Sequence, residues 1–146
     1  MTVRQATIGD LEKIVPLFDA YRQFYRRPSD PDLARRFLCD RFQHGESVIF
    51  LAEVDGIAVG FTQLYPSFSS VSAARIFILN DLFISPDGRR KGAGAMLLAA
   101  AANFGREMGA VRLALTTEVT NLTAQALYER EGWKRNSEFY SYDLAL

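Results

Sequence analysis

Residues 79–98 read LNDLFISPDGRRKGAGAMLL, an apolar run that passes through Ser85-Pro86-Asp87-Gly88 into a basic, glycine-rich turn and then a helix. Gly92 and Gly94 carry no Cβ, so the backbone of that turn can approach a ligand closely. A helix opening there presents unpaired N–H groups and the positive end of its dipole. Arg89, Arg90 and Lys91 add charge beside it. The combination suits a pyrophosphate. Glycines before a helix are more commonly plain strand-to-helix punctuation, so the surrounding letters matter. G-x-G-x-x-G and G-x-x-x-x-G-K-[ST] are both absent, which leaves R-x-x-G-x-G at Arg89, Gly92 and Gly94.

Downstream, a helix is expected from about Gly92 to Met108 and a strand from Val111 to Thr116. A second motif follows: residues 121–133 read NLTAQALYEREGW. R-x-x-G-x-G resembles the acetyl-CoA signature of the GNAT superfamily of N-acetyltransferases. NLTAQALYEREGW is similar to its next motif, N-x-x-A-x-x-L-Y-x-x-x-G-[WF]. Order and spacing agree with that superfamily over nearly the whole chain.

The resemblance implies a fold and a set of contacts. The fold is a mixed α/β (α+β) domain spanning 1–146, with a mostly antiparallel sheet of six to seven strands, helices on both faces, and a splay between the fourth and fifth strands. Acetyl-CoA would enter the splay as co-substrate. Leu82, Phe83 and Ile84 would offer main-chain contacts to its pantetheine arm. Arg89, Arg90, Lys91, Gly92, Ala93, Gly94 and Ala95 would hold the pyrophosphate, with Asn121 and Tyr128 also reaching the cofactor.

Composition agrees with one such domain. The 146 residues suffice for a single core, and a formal net charge of zero supplies no global field for nucleic acid or an anionic membrane. Cys39 is the only cysteine and His44 the only histidine, so neither an internal disulfide nor a zinc set is available, and no metal is expected. The start, MTVRQATIGD, lacks a signal-peptide apolar region, and no run has membrane-span length. A soluble cytoplasmic protein is expected.

The remaining elements follow from local patterns. Thr2 to Ala6 reads as a strand, and Thr7-Ile-Gly-Asp10 as a capping box before a helix with apolar residues at helical spacing as far as Tyr25. Pro28 and Pro31 would end that helix. Asp32 to Gln43 reads as a second helix with Leu33, Phe37 and Leu38 inward. Ser47–Val54 and Ile57–Tyr65 form a hairpin about Asp55-Gly56. Residues 66–73 read as a polar loop, Arg75–Ile84 as the central strand and Glu138–Leu144 as a closing strand. His44 suits a helix C-terminus, and Cys39 a small buried position.

Acetyl transfer to an amine needs the amine neutral, although a free alkylamine titrates near pH 10. The departing thiolate benefits from a proton donor, and a tyrosine hydroxyl is a suitable weak acid. The resemblance assigns that role to Tyr128; packing against Trp133 is its plainer alternative. For the base, Asp81 and Glu118 both qualify, directly or through water. The chain also resembles the diamine and polyamine acetyltransferases and the yeast histone/polyamine acetyltransferases, whose fourth strand begins L-E-D-[LF]-F-V. Here Asn80 replaces the glutamate, while Asp81, Leu82 and Phe83 match.

The missing carboxylate turns attention to the first helix, where Arg22 and Arg26 stand at i and i+4. In the superfamily that helix borders the acceptor pocket. With Asn80 and Asp81, the arginine pair would hold a carboxylated, amino-acid-like acceptor; pairing with Asp19 and Asp30 is the alternative. The expected activity is acetyl transfer from acetyl-CoA to a primary amine of a small molecule. A protein or peptide acetyltransferase and a non-catalytic CoA-binding regulator are the other classes. Family habit implies a homodimer.

Overall fold

Asp55 and Gly56 take left-handed backbone angles, φ 51° and 77°, as a two-residue hairpin between right-twisting strands requires. The computed structural model describes residues 1–146, which divide into two units, Met1–Thr116 and Thr117–Leu146. In the first, β1 (Thr2–Gln5), β2 (Val48–Val54), β3 (Ile57–Ser69), β4 (Ala74–Ile84) and β5 (Leu113–Ala114) lie in that order in one sheet. All neighbours are antiparallel except β4 and β5, which run parallel.

Helices α1 (Leu11–Phe24) and α2 (Pro31–His44) cover one face, and α3 (Ala93–Glu107) covers the other. On the first face Phe18 stacks on Phe37 and tilts against Phe61. On the second, Phe104 meets Phe50 and Phe77. Ile14, Leu38, Leu51 and Phe61 are wholly enclosed in the α1/α2 core, each contributing about 1.5–3 kcal/mol of burial.

Five expectations change. The polar loop expected at 66–73 shrinks to 70–73, because β3 continues through Pro66 to Ser69. Its pairing with β2 ends at Leu64, so on that side Pro66 lies on a free edge where its missing N–H removes no ladder bond. The strand expected at Val111–Thr116 is two residues long, pairing only with Phe77 and Ile78. The bulge described below re-aims β4 past that point.

The closing strand at Glu138–Leu144 does not form, so the sheet has five strands rather than six or seven. A strand exists only against a ladder partner, and 138–144 has none. Finally, α1 ends at Phe24, before either proline, and Arg26 turns left-handed at φ 68°. Buried Asp19 draws the following loop back over the helix: its carboxylate accepts from Gln23 Nε2 at 3.1 Å, Ser29 Oγ at 2.7 Å and the Asp30 amide at 2.8 Å. In α2, Ala34 and Leu38 are buried while Leu33 is exposed.

In the second unit Asn121 caps α4 (Leu122–Arg130), its Oδ1 accepting from the Ala124 amide at 3.1 Å. Gly132 at φ 91° ends the helix, with the Trp133 amide donating to the Tyr128 carbonyl at 2.9 Å. No residue from 117 to 146 is buried.

Candidate active site

In the β3–β4 ladder Gln63 pairs with Asp81 and Leu64 with Leu79, which leaves Asn80 as an extra residue, a β-bulge. The bulge exchanges faces. Before it, Phe77 and Leu79 pair with Pro66 and Leu64 on the α3 side; after it, Asp81 and Phe83 pair with Gln63 and Phe61 on the α1 side. Without the extra residue Asp81 would point into the apolar α3 face. Thr62, itself wholly buried, fastens the bulge by donating its hydroxyl to the Asp81 carbonyl at 2.8 Å.

Asp81 is 2% exposed. Gln63 Nε2 donates to Oδ2 at 2.5 Å and Asn80 Nδ2 to Oδ1 at 2.8 Å. Burial pushes its pKa above the ordinary carboxylate range, although hydrogen bonds from Asn80 and Gln63 pull the other way. The Tyr21 hydroxyl lies beside this carboxylate, with its single proton directed to the Asn80 carbonyl at 3.2 Å. Burial, then the charge of Asp81, raises the phenols of Tyr21 and Tyr65. The sequence gives Thr62, Gln63 and Tyr21 only places in a strand and on an apolar helix face, with no role at the site. The signal was a Thr-Gln pair inside the apolar run of β3, where two polar residues have no reason to be unless something polar faces them.

Past Ile78, β4 has no ladder partner on the β5 side, so the edge from Leu79 to Ile84 lies open to an extended ligand. Leu82 and Ile84 are half-buried on it and Phe83 is buried. This edge runs into the glycine turn. Pro86–Gly88 forms one 3-10 turn, fixed to β3 by the Ser85 amide donating to the Val59 carbonyl at 2.8 Å. Arg90 and Gly92 then take φ 61° and 81° before α3 begins at Ala93.

No side chain caps α3, so the amides of Ala93, Gly94 and Ala95 have no partner within the helix. A Cβ at Gly92 would meet nothing within 4 Å. Its glycine is therefore required by backbone angle, and the space it faces is open. Arg89, Arg90 and Lys91 are exposed, with Arg89 Nε donating to the Ile84 carbonyl at 3.2 Å. An uncapped helix start, open space and three cations fit a pyrophosphate, and the edge before them fits the arm of CoA.

Elsewhere in the first unit, Arg22 sits in the last turn of α1, and its Nη1 is buried without a hydrogen-bond partner, as is Gln63 Oε1. Arg26 lies beyond the helix, so the expected i, i+4 pairing on one helical face is lost. His44 Nδ1 lies 2.8 Å from the Asp40 carbonyl, in the structural place expected. In the second unit, half-buried Tyr128 rests against Trp133 with ring centroids 6.1 Å apart. Gln125 Nε2 donates to the carbonyls of Glu118 and Val119 at 3.1 and 3.2 Å, which fixes the backbone entering α4. Glu118 is half-buried.

These features have counterparts among known proteins. A family model described as the acetyltransferase (GNAT) family matches residues 14–133. The Bacillus subtilis (strain 168) protein named uncharacterized N-acetyltransferase YhfO is 50% identical over 144 residues, covering 99% of this chain and 97% of its own. The crystal structure of a probable acetyltransferase is 42% identical and superposes with a TM-score of 0.94, over 100% of this chain and 98% of the other. At 21% identity, the aminoglycoside N-acetyltransferase AAC(6')-Iy, solved in complex with CoA, shares the fold at a TM-score of 0.83 over 99% and 95% of the two chains. The chain belongs to the GNAT family and is an N-acetyltransferase.

Proposed function

We propose that the protein moves an acetyl group from acetyl-CoA to a primary amine of a small molecule by direct transfer, both substrates being held at once. The observation that carries this is the open β4 edge from Leu79 to Ile84 running into the uncapped start of α3. In this reading residues 1–146 act as one catalytic domain, working as a cytoplasmic homodimer. The family match, which extends from 14 to 133 across both units, supports a single domain.

Bound acetyl-CoA supplies the activated acyl group. The main chain at Leu82, Phe83 and Ile84 aligns its arm as a strand would. Amides of the turn from Arg89 to Ala95 bind the pyrophosphate, assisted by Lys91 and the arginines, with Asn121 contributing from the start of α4. Asp81 accepts the proton of the amine; burial raises its basicity, and the Tyr21 hydroxyl beside it gives the proton a path. Glu118 is the alternative acceptor. Tyr128 protonates the departing sulfur.

The substrate is an amine that carries a carboxylate. The unpartnered Nη1 of Arg22 supports this, since a buried guanidinium N–H without an acceptor is costly until an anion meets it. Arg26 and Asn80 contribute at the edge of the acceptor site.

The test is thiol release from acetyl-CoA over a panel of polyamines, amino acids, aminoglycosides and lysine peptides. Wild type should turn over one small-molecule class, favouring carboxylated amines. Tyr128→Phe should lower kcat about 10²-fold at unchanged CoA affinity, and Gly92→Asp should abolish CoA binding. Turnover of lysine peptides alone would establish a protein acetyltransferase instead, and CoA binding without turnover a regulator.

A further inference from the structure

Gln63 is wholly buried, and its side chain makes one hydrogen bond, the donation from Nε2 to Asp81. Its other end is idle: Oε1 is the only buried side-chain oxygen without a partner. In the sheet Gln63 stands between Asp81 on β4 and Ile49 on β2, and Ile49 offers nothing polar. A buried amide left half-used is destabilising, so packing alone does not account for a glutamine here. The group it serves is Asp81.

A carboxylate only accepts hydrogen bonds, whereas a carboxylic acid has an O–H to donate. Every donor now on Asp81 suits the charged form, with Gln63 on one oxygen and Asn80 on the other. Once Asp81 has taken a proton, one of those donors faces an O–H and must give way. Asn80 is exposed and can turn to water. Gln63 cannot, but a half-turn of its amide exchanges Nε2 for Oε1 and meets the O–H with the acceptor that is otherwise unpartnered. The other groups facing Asp81 are phenols. Tyr21 of α1 directs its proton to the Asn80 carbonyl, and burial and the charge of Asp81 raise both it and Tyr65 of β3. Tyr25 stands beside Tyr21, and Arg41 of α2 acts on Tyr65.

We infer that Gln63 is the positioning residue of the base: its amide donates to Asp81 as the carboxylate and turns to accept from it as the carboxylic acid. The inference rests on Asp81 as the base in the function proposed above. The proton passes from the amine nitrogen to an Asp81 oxygen, and no bond in Gln63 is made or broken. The amide only rotates, which keeps the Asp81 side chain aimed before and after the transfer.

The test is the pH profile of kcat/KM for Gln63→Met, which keeps the length of the side chain and removes both ends of the amide. The bond to the charged form is the stronger of the two, so the acid limb should move up by about one pH unit, with KM for acetyl-CoA unchanged. In the wild type, which needs no substitution, the Gln63 side-chain amide protons should move upfield in NMR spectra as pH falls through that limb and the carboxylate is lost to them. A limb left in place by Gln63→Met, or amide signals that stay fixed or move downfield, overturns the inference. Asp81→Asn separates it from the reading beneath it. If that chain keeps wild-type turnover and pH profile, the assignment of the base falls and the role of Gln63 with it; if it loses turnover while Gln63→Met leaves the limb in place, the base stands and Gln63 only packs.

Discussion

The two units of this chain were recognisable for opposite reasons. Met1–Thr116 holds all of the buried residues, Ile14, Leu38, Leu51 and Phe61 among them, whereas Thr117–Leu146 has none. Yet the second unit carries NLTAQALYEREGW, the longer of the two motifs. Its letters do not answer to a buried core, since none of its residues is buried. Asn121 at a cap and Gly132 at a left-handed position answer to backbone geometry, and Tyr128 answers in the proposed mechanism to chemistry. In the first unit most of the pattern is packing, and the chemistry hides within it at Thr62, Gln63 and Asp81.

The sharpest way to break this contrast is a pair of truncations. Phe61→Ala, in the enclosed core, should cost about 3–5 kcal/mol in a urea melt. Leu127→Ala, on half-buried α4, should cost under about 1 kcal/mol. Equal losses would mean that the second unit has a core of its own. Next in size is the bulge: Thr62→Val keeps the shape of the side chain but removes the donor to the Asp81 carbonyl, for an expected loss of about 1–2 kcal/mol. In the proposed mechanism it also lowers kcat, because Asp81 loses its aim. A stable variant with wild-type turnover would detach the bulge from catalysis.

The smallest effect is a pH dependence within the first unit. Asp81 has a raised pKa, so between about pH 4 and that raised value the folded chain binds the extra proton and stability falls as pH rises. Glu53 is the reverse case: hydrogen bonds from Lys13 and Arg4 lower its pKa against burial, so its contribution is full at neutral pH and declines as acid is added through its folded pKa. Urea melts should show wild type gaining on Asp81→Asn as pH falls towards about 4, and losing its lead over Glu53→Gln only on further acidification, from the ordinary glutamate range down through the lowered pKa. Parallel curves for the two variants would mean that the buried carboxylate is not desolvated as described. If Asp81 is the base, the acid limb of kcat/KM likewise lies above the ordinary carboxylate range.

What was legible in the sequence was what repeats or what only glycine can do. Asp55-Gly56 gave the hairpin, the spacing from Leu11 onward gave α1, and Arg89-x-x-Gly92-x-Gly94 gave the turn. The extension of β3 through Pro66 was hidden because proline reads as a break until one knows that β2 has already ended beside it. The bulge was hidden because one extra residue at Asn80 leaves no mark in local composition; it exists only as a mismatch between two strands. Its discovery changes the meaning of Asp81 from one residue of a strand motif to the centre of a buried polar cluster. The missing closing strand was hidden for the converse reason. Residues 138–144 have the right alternation, and alternation alone does not supply the ladder partner that a strand needs.

Gly88 sets a boundary in the molecule. A Cβ there would lie 2.7 Å from the Val59 Cβ and 3.0 Å from its carbonyl oxygen, so the start of the basic turn is seated on β3 without room for adjustment. The other end of β3 opens into the short loop at 70–73, exposed and free of any such constraint. Inheritance can therefore act on the two ends unequally. Descendants of this chain are freer to revise that loop, while the seat of the basic turn on Val59 stays in place from one revision to the next.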